Sequence, residues 1–276
     1  MTAVTTALSN FTNPNFLKSR SYATQEKLAV RAQTHARYTV PPLDFPAWVM
    51  QQLEWHGSEL IVDIGCGHGN YTAWGLSLGG LYIAADLSIG MLRDLLFANL
   101  RRVNLDIQRL PFAGQVADVV LANHMLYHVP NLDAALSELR RLLKPHGRLV
   151  AATNSVQGLP QLNQLLDETA AALGFDLQHT QTINNQFSLE SGAAALERHF
   201  ARVERHEIDN QLVFPAPEPV LAYVHSMDEW YRVFLPPAVD WADFMIALHE
   251  RLKRHFDQYP HFRVNKKAGF FLSYPE

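Results

Sequence analysis

The sequence predicts an α/β fold whose largely parallel sheet is covered by helices on both faces. Three observations predict it. Leu60 to Ile64, Leu81 to Ala85, Ala117 to Ala122 and Arg148 to Thr153 are short apolar runs of strand length. Segments with helical spacing separate them, as parallel connections require. A glycine-rich turn, Gly65-Cys66-Gly67-His68-Gly69, follows the first run, where α/β proteins receive a nucleotide.

The elements follow in order. Residues 1 to about 15 are small and polar, with Asn13-Pro14-Asn15 as a turn signal. Ser21 to Arg37 carries a moderate apolar stripe at helical spacing and is stopped by Pro41-Pro42, and Phe45 to Trp55 reads as a second helix. Asn70 to Leu78 is the helix after the glycines. Ser88 to Asn99 follows the second strand with Ser88 as N-cap. Val103 to Gln108 is a third strand. Leu132 to Leu143 is an amphipathic helix ended by Pro145 and Gly147. Beyond Gly158 the pattern gives helices over Pro160 to Leu173 and Leu189 to His199, then a strand over Ala201 to Phe214. A mostly helical, aromatic-rich stretch, Pro219 to Phe256, precedes a last alternating strand, Phe262 to Tyr274.

Composition narrows the function. The chain has 276 residues, 48% of them hydrophobic, enough for a sizeable core. A net charge of −4 gives no basic face for nucleic acid. The single cysteine, Cys66, excludes an internal disulfide framework and a cysteine-built metal site. It reads as a small buried filler. The first ten residues lack the pattern of a secretory signal, and no uncharged apolar run approaches membrane-spanning length. The expectation is a cytoplasmic protein, monomer or homodimer, with no nucleic-acid or membrane partner and no metal.

Two nucleotide readings compete for Asp63-Ile64-Gly65-Cys66-Gly67-His68-Gly69-Asn70, beside a purely structural glycine turn. A dinucleotide site needs G-x-G-x-x-G, and here the third glycine position falls on Asn70. Asp63 would also stand beside the seat of a pyrophosphate and repel it. The same carboxylate suits a phosphate-free ligand with an ammonium group, and S-adenosylmethionine is such a ligand. Asp86, at the end of "LYIAAD", offers acceptors for two ribose hydroxyls, or a helix cap. Asp106 in "DIQRLPF" offers an acceptor for an adenine amino group.

These motifs resemble those of the class I S-adenosylmethionine-dependent methyltransferases, from about Leu60 to Thr153. "VDIGCGHG", "AADLSIGML", "DIQRLPF", "ADVVLANHMLYHV" and "ELRRLLKPHGRLV" are similar to five successive family motifs. His146 departs from the usual glycine of the last. The resemblance implies a Rossmann-like doubly wound sheet of seven strands in the order 3-2-1-4-5-7-6, with the last strand antiparallel. It implies S-adenosyl-L-methionine as cofactor and S-adenosyl-L-homocysteine as product. Asp63, Gly65 and Gly67 would surround the methionine part, Asp86 would bind the ribose, and Leu87 and Met91 would lie beside the adenine. Asp106 and Ile107 would contact the adenine, and Asn123 would face the methionine moiety.

The acceptor is approached by elimination. After the strand Ala117 to Ala122 the chain reads Asn123-His124-Met125-Leu126, without the prolines of nucleic-acid base methylation. Nor does it offer the carboxylates of metal-dependent catechol methylation or the paired glutamates of protein-arginine methylation. A small-molecule acceptor remains, methylated on an O, N or activated C atom. Residues 1–45 are expected to form an N-terminal helical cap on a methyltransferase domain over 46–276, with 217–258 as a helical lid insertion. His124, Tyr127 and His128 are the candidate bases, although His128 matches a histidine that is often structural in the family. Tyr22, His35, Tyr38, His225 and Trp230 are candidate pocket residues. Arg31 is either a partner for the cofactor's carboxylate or part of a solvated helix face. The alternatives are a non-catalytic S-adenosylmethionine-binding regulatory subunit and an NAD-dependent oxidoreductase.

If Asp86 holds the ribose, Asp86→Ala weakens S-adenosylhomocysteine binding by about 1.5–3 kcal/mol, the value of hydrogen bonds to a charged group. Calorimetric titration measures it, and an unchanged affinity contradicts the ribose assignment.

Overall fold

The computed structural model describes residues 12–22, 25–177 and 186–276. The expected polar start at residues 1–11 lies outside them. Eight strands form one sheet: β1 (Thr39–Val40), β2 (Leu60–Ile64), β3 (Leu81–Asp86), β4 (Arg101–Asn104), β5 (Ala117–Leu121), β6 (Leu143–Asn154), β7 (Arg202–Phe214) and β8 (Phe262–Tyr274). Their order is β1-β7-β8-β6-β5-β2-β3-β4. From β6 through β5, β2 and β3 to β4 every pair is parallel, and β8 runs antiparallel to both β6 and β7.

Without β1, this is the expected order of seven strands with the antiparallel strand last in the chain. The eighth strand corrects the count. Thr39 pairs with Leu212 and Val40 with Gln211 along the outer edge of β7. Two residues before Pro41-Pro42 are too few to leave an alternation signal.

The parallel strands β2, β3, β5 and β6 split their side chains between two apolar layers. Val62, Ile64, Val120, Leu149 and Ala151 meet Ala135, Leu136, Leu139 and Leu142 of the helix Leu132–Leu142. Ile61, Ala84, Leu121 and Val150 meet Val49, Met50 and Leu92 on the other side. Fully burying each aliphatic side chain is worth about 1.5–3 kcal/mol, so the layers fix the strand ends above which the site is built. A third apolar cluster joins the helices Pro160–Ala172, Pro217–His225 and Trp241–Phe256 to β7 and β8 through Leu166, Val220, Phe244, Leu248, Phe214 and Val264.

Several expected boundaries shift for local reasons. The N-terminal helix is Glu26–Tyr38, preceded by a wide turn at Leu17–Ser21. The second helix stops at Met50, where Trp55 Nε1 turns back to donate to the Met50 carbonyl at 2.9 Å. Ser88 caps its helix as expected, but the helix ends at Asp94, and Arg102 collects the carbonyls of Leu95 and Phe97. Arg101–Asn104 replaces the expected third strand because Asp106 folds into a tight turn with Arg109. Pro145 and Gly147 lie inside β6 and do not form a loop before it.

Gly75, on the helix Thr72–Ser77, lies under Tyr82 of β3. A Cβ there would come 2.0 Å from the ring's Cδ2 and 2.2 Å from Cε2. Gly75→Ala therefore lowers stability by about 1–3 kcal/mol through overpacking, despite the roughly 1 kcal/mol that alanine gains in a helix. A thermal melt shows this as a fall in Tm, and a raised Tm contradicts it.

Candidate functional site

The site begins where β2 gives way to three glycines. Gly65, Gly67 and Gly69 have φ of +72°, +53° and +83°, values that favour glycine. At Gly65 a Cβ would also lie 2.7 Å from Met125 Cγ. The Gly65 and Cys66 amides donate to the Ala85 carbonyl at 2.8 and 3.0 Å, which ties the turn to β3. Asp86 completes the tie: Oδ2 accepts from the Gly67 amide at 2.9 Å and Oδ1 from the Ser88 amide at 2.7 Å. The helix-cap role goes to Ser88, so Asp86 remains at the strand end and braces the turn.

Above these strand ends lies a cavity of about 230 Å³. It brings together all nine residues expected around the cofactor. Asp63, Gly65 and Gly67 come from the β2 end, Asp86, Leu87 and Met91 from the β3 end, Asp106 and Ile107 from the turn after β4, and Asn123 from the β5 end. His124, Tyr127, His128 and Tyr22 also line it. The other four pocket candidates do not. His35 Nε2 meets the Tyr223 hydroxyl at 3.2 Å, and the Tyr38 ring packs 5.3 Å from Phe214. His225 Nδ1 accepts from Trp241 Nε1 at 3.3 Å. Trp230 stands behind the wall, stacked on His128 at 5.6 Å with 17° between the rings.

Sequence reasoning missed further lining residues, among them Leu17, Leu28, His68, Tyr71, Gln108 and Met125. Tyr71 carried a signal, as the first aromatic after the glycines. Leu28 did not: its Cδ2 lies 3.1 Å from where a Gly67 Cβ would be, a contact made only when the N-terminal helix folds over the turn. That segment is fastened by Ser88 Oγ donating to the Tyr22 carbonyl at 2.8 Å and by Lys27 paired with Glu229 at 2.8 Å. Leu17, Tyr22, Leu28 and Arg31 of the N-terminal segment thus line the cavity. The insertion's Tyr223, Tyr231, Trp241 and Phe244 pack in the third apolar cluster.

The electrostatics sort the groups. Asp63 is 1% exposed, and its Oδ2 accepts the Tyr82 hydroxyl at 2.5 Å. Burial pushes its carboxyl up to about 7, against the opposing pull of that hydrogen bond. Burial also raises Asp86. The Asp106 carboxylate is fixed by the Gln108 amide, which donates to Oδ1 at 2.9 Å. Burial pushes His124 down to about 4, leaving its imidazole neutral, and raises Tyr127. The Tyr22 hydroxyl and His128 Nε2 are hydrogen-bonded at 2.8 Å across the cavity wall.

Two buried polar groups lining the cavity have no partner among the described residues. One is Asn123 Nδ2, whose Oδ1 is held by the Ala152 amide at 2.9 Å, and the other is the Tyr71 hydroxyl. Unpartnered donors of this kind are costly unless a ligand completes them. With three carboxylates along the same edge, they fit a ligand that is part amino acid and part nucleoside. Among the described residues no group of three or more metal-ligating side chains converges, and no helix is long and apolar enough to cross a membrane.

Comparison with known proteins agrees with this geometry. Residues 62–151 match a methyltransferase domain. The chain is 28% identical over 157 residues to the malonyl-[acyl-carrier protein] O-methyltransferase of Yersinia pestis, covering 54% of this chain and 58% of that one. It is 37% identical over 90 residues to the demethylmenaquinone methyltransferase of Mycolicibacterium paratuberculosis, covering 33% and 39%. The chain thus spans about half the length of such curated relatives. Its fold is similar to Haemonchus contortus phosphoethanolamine N-methyltransferase 2 in complex with S-adenosyl-L-methionine, with a TM-score of 0.57, 14% identity and coverage of 96% and 60%.

If Asp63 pairs with a ligand's ammonium, its raised carboxyl makes that binding pH-dependent. Below about pH 7 the empty site is protonated and must lose that proton to form the ion pair. S-adenosylhomocysteine affinity therefore falls as pH drops through 7, by up to about tenfold per unit. Tyr82→Phe removes the bond that lowers the carboxyl, so it weakens binding at pH 7 and moves the profile to higher pH. Calorimetry at pH 6, 7 and 8 checks both; a flat profile contradicts the Asp63 pairing.

Proposed function

Starting from a class I S-adenosylmethionine-dependent methyltransferase domain at residues 62–151, we propose that this chain transfers a methyl group in line to an O, N or activated C atom of a small-molecule metabolite and releases S-adenosylhomocysteine. The observation that carries the reading is Asp63, a buried carboxylate at the head of the glycine turn in a cavity lined also by Asp86 and Asp106. Such a site repels a pyrophosphate and attracts an ammonium.

Bound there, S-adenosylmethionine supplies an electrophilic methyl on a sulfonium sulfur. The chain's residues bind and orient. Asp63 takes the ammonium, Asn123 Nδ2 faces the amino-acid portion, Asp86 takes the ribose hydroxyls with its remaining lone pairs, and Asp106 takes the adenine amino group between Leu87, Met91 and Ile107. Arg31, which lines the cavity, offers its guanidinium to the carboxylate. The N-terminal segment excludes water, and fixing the reactants supplies much of the rate.

A hydroxyl or protonated amine must lose a proton as it is methylated. A base works best when its pKa lies near the working pH. His124, pushed to about 4, is a weak base, and Tyr127, raised by burial, is slow to ionise. His68, which also lines the cavity, is likewise pushed down by burial. That leaves His128, which Tyr22 positions through their 2.8 Å bond. We therefore assign His128 as the proton acceptor and Tyr22 as its positioning residue.

The test is S-adenosylhomocysteine release from S-adenosylmethionine across a metabolite panel. Release with at least one metabolite is expected, and silence throughout contradicts catalysis. With that acceptor, His128→Ala lowers kcat by about 10²–10⁴-fold while S-adenosylhomocysteine affinity stays within a few-fold. Unchanged kcat removes His128 from the chemistry.

A further inference from the structure

Behind the cavity wall, a polar cluster is buried between the outer strands and the N-terminal helix, and among the described residues no carboxylate pairs with its charge. Lys266 of β8 stands opposite Asn210 of β7 in the antiparallel register. Their side chains therefore rise from the same face, with Cβ atoms about 5 Å apart. Asn210 is only 7% exposed, and neither its Nδ2 nor its Oδ1 has a partner among the described residues. Lys266 Nζ reaches His35 Nδ1 at 3.3 Å and Thr39 Oγ1 at 3.4 Å, both uncharged neighbours. The adjacent Lys267, one residue on and facing the other way, has Glu207 at 3.0 Å.

Burial pulls Lys266 down to about 8, so it still carries its charge at pH 7. Burial first, and Lys266 next, push His35 to about 3 and His124 to about 4, so neither imidazole adds charge of its own. His124 links the cluster to the cavity, since it feels Lys266 on one side and lines the cavity beside Asn123 on the other. A half-buried ammonium with no carboxylate partner and a buried amide with no hydrogen-bond partner, both among the described residues, are costly unless a bound group completes them.

We propose that Lys266 and Asn210, with His35 beside them, form the subsite that holds an anionic group of the methyl acceptor, a carboxylate or a phosphate. This rests on the methyl-transfer reading above and narrows it to acidic metabolites. The lysine supplies the charge, and the asparagine supplies an N–H donor and a carbonyl acceptor for a neighbouring hydroxyl or N–H. A wholly apolar acceptor would leave both groups unpaired, so the pair also works against such molecules.

The test is calorimetric titration of the S-adenosylhomocysteine-saturated protein with sodium phosphate and, separately, sodium propionate, at constant ionic strength in chloride. Saturable binding of one anion is expected, and which of the two binds identifies the group. Lys266→Met and Asn210→Leu should each weaken it at least tenfold while leaving S-adenosylhomocysteine affinity unchanged, and Lys266→Arg should retain it within a few-fold. Absence of saturable binding of either anion to the wild type, or equal binding by Lys266→Met, overturns the subsite. Failure of S-adenosylhomocysteine itself to bind the wild type overturns the cofactor reading instead.

Discussion

A carboxylate buried beneath a glycine turn is the constraint on which the rest of this site depends. Asp63 alternates into the same apolar layer as Ile61, where an ionised group is expensive, and the Tyr82 hydroxyl donates a close hydrogen bond to it. Tyr82 in turn can lie where it does only because Gly75 leaves room for its ring. The glycines that follow need left-handed backbone, and the Gly65 and Gly67 amides are spent on the Ala85 carbonyl and the Asp86 carboxylate. Strand, turn and neighbouring strand therefore form one unit that holds a buried acid at the head of the turn. The cost to the free protein is consistent with a site prepared for binding.

The parallel core and its motifs were legible in the sequence because both are local. Strand length, apolar runs and the glycine turn identified β2, β3, β5 and the end of β6. The strands from Ala201 and Phe262 onward fell within a residue of β7 and β8. The methyltransferase resemblance, borne out by the domain match, supplied a strand order that periodicity cannot give. β1 was not legible, since its two residues become a strand only through the partner they meet. The third strand was misplaced by the apolar Leu105 and Ile107, which are buried in the turn after β4 and not in the ladder.

The candidate site divides the same way. Residues set by a strand end, from Asp63 to Asn123, could be named from motifs, and the fold gathers all of them around one cavity. Contacts made by long-range packing could not, even where both partners, such as Tyr22 and His128, were themselves candidates. Tyr22 meets His128 across 106 positions of sequence, and the Lys266–Asn210 pair exists only through the register of two outer strands. The insertion's aromatics suggested a lid by composition; most of them are buried against β7 and β8, and residues of the N-terminal segment line the cavity.

The central claim is that this cavity binds an amino-acid nucleoside with its ammonium on Asp63. A crystal structure of the chain with S-adenosylhomocysteine tests it most directly. The account predicts the ligand's amino group within hydrogen-bond distance of the Asp63 carboxylate, its ribose hydroxyls on Asp86 and its adenine beside Asp106. A ligand seated elsewhere, or in this cavity with its amino group turned away from Asp63, would contradict it.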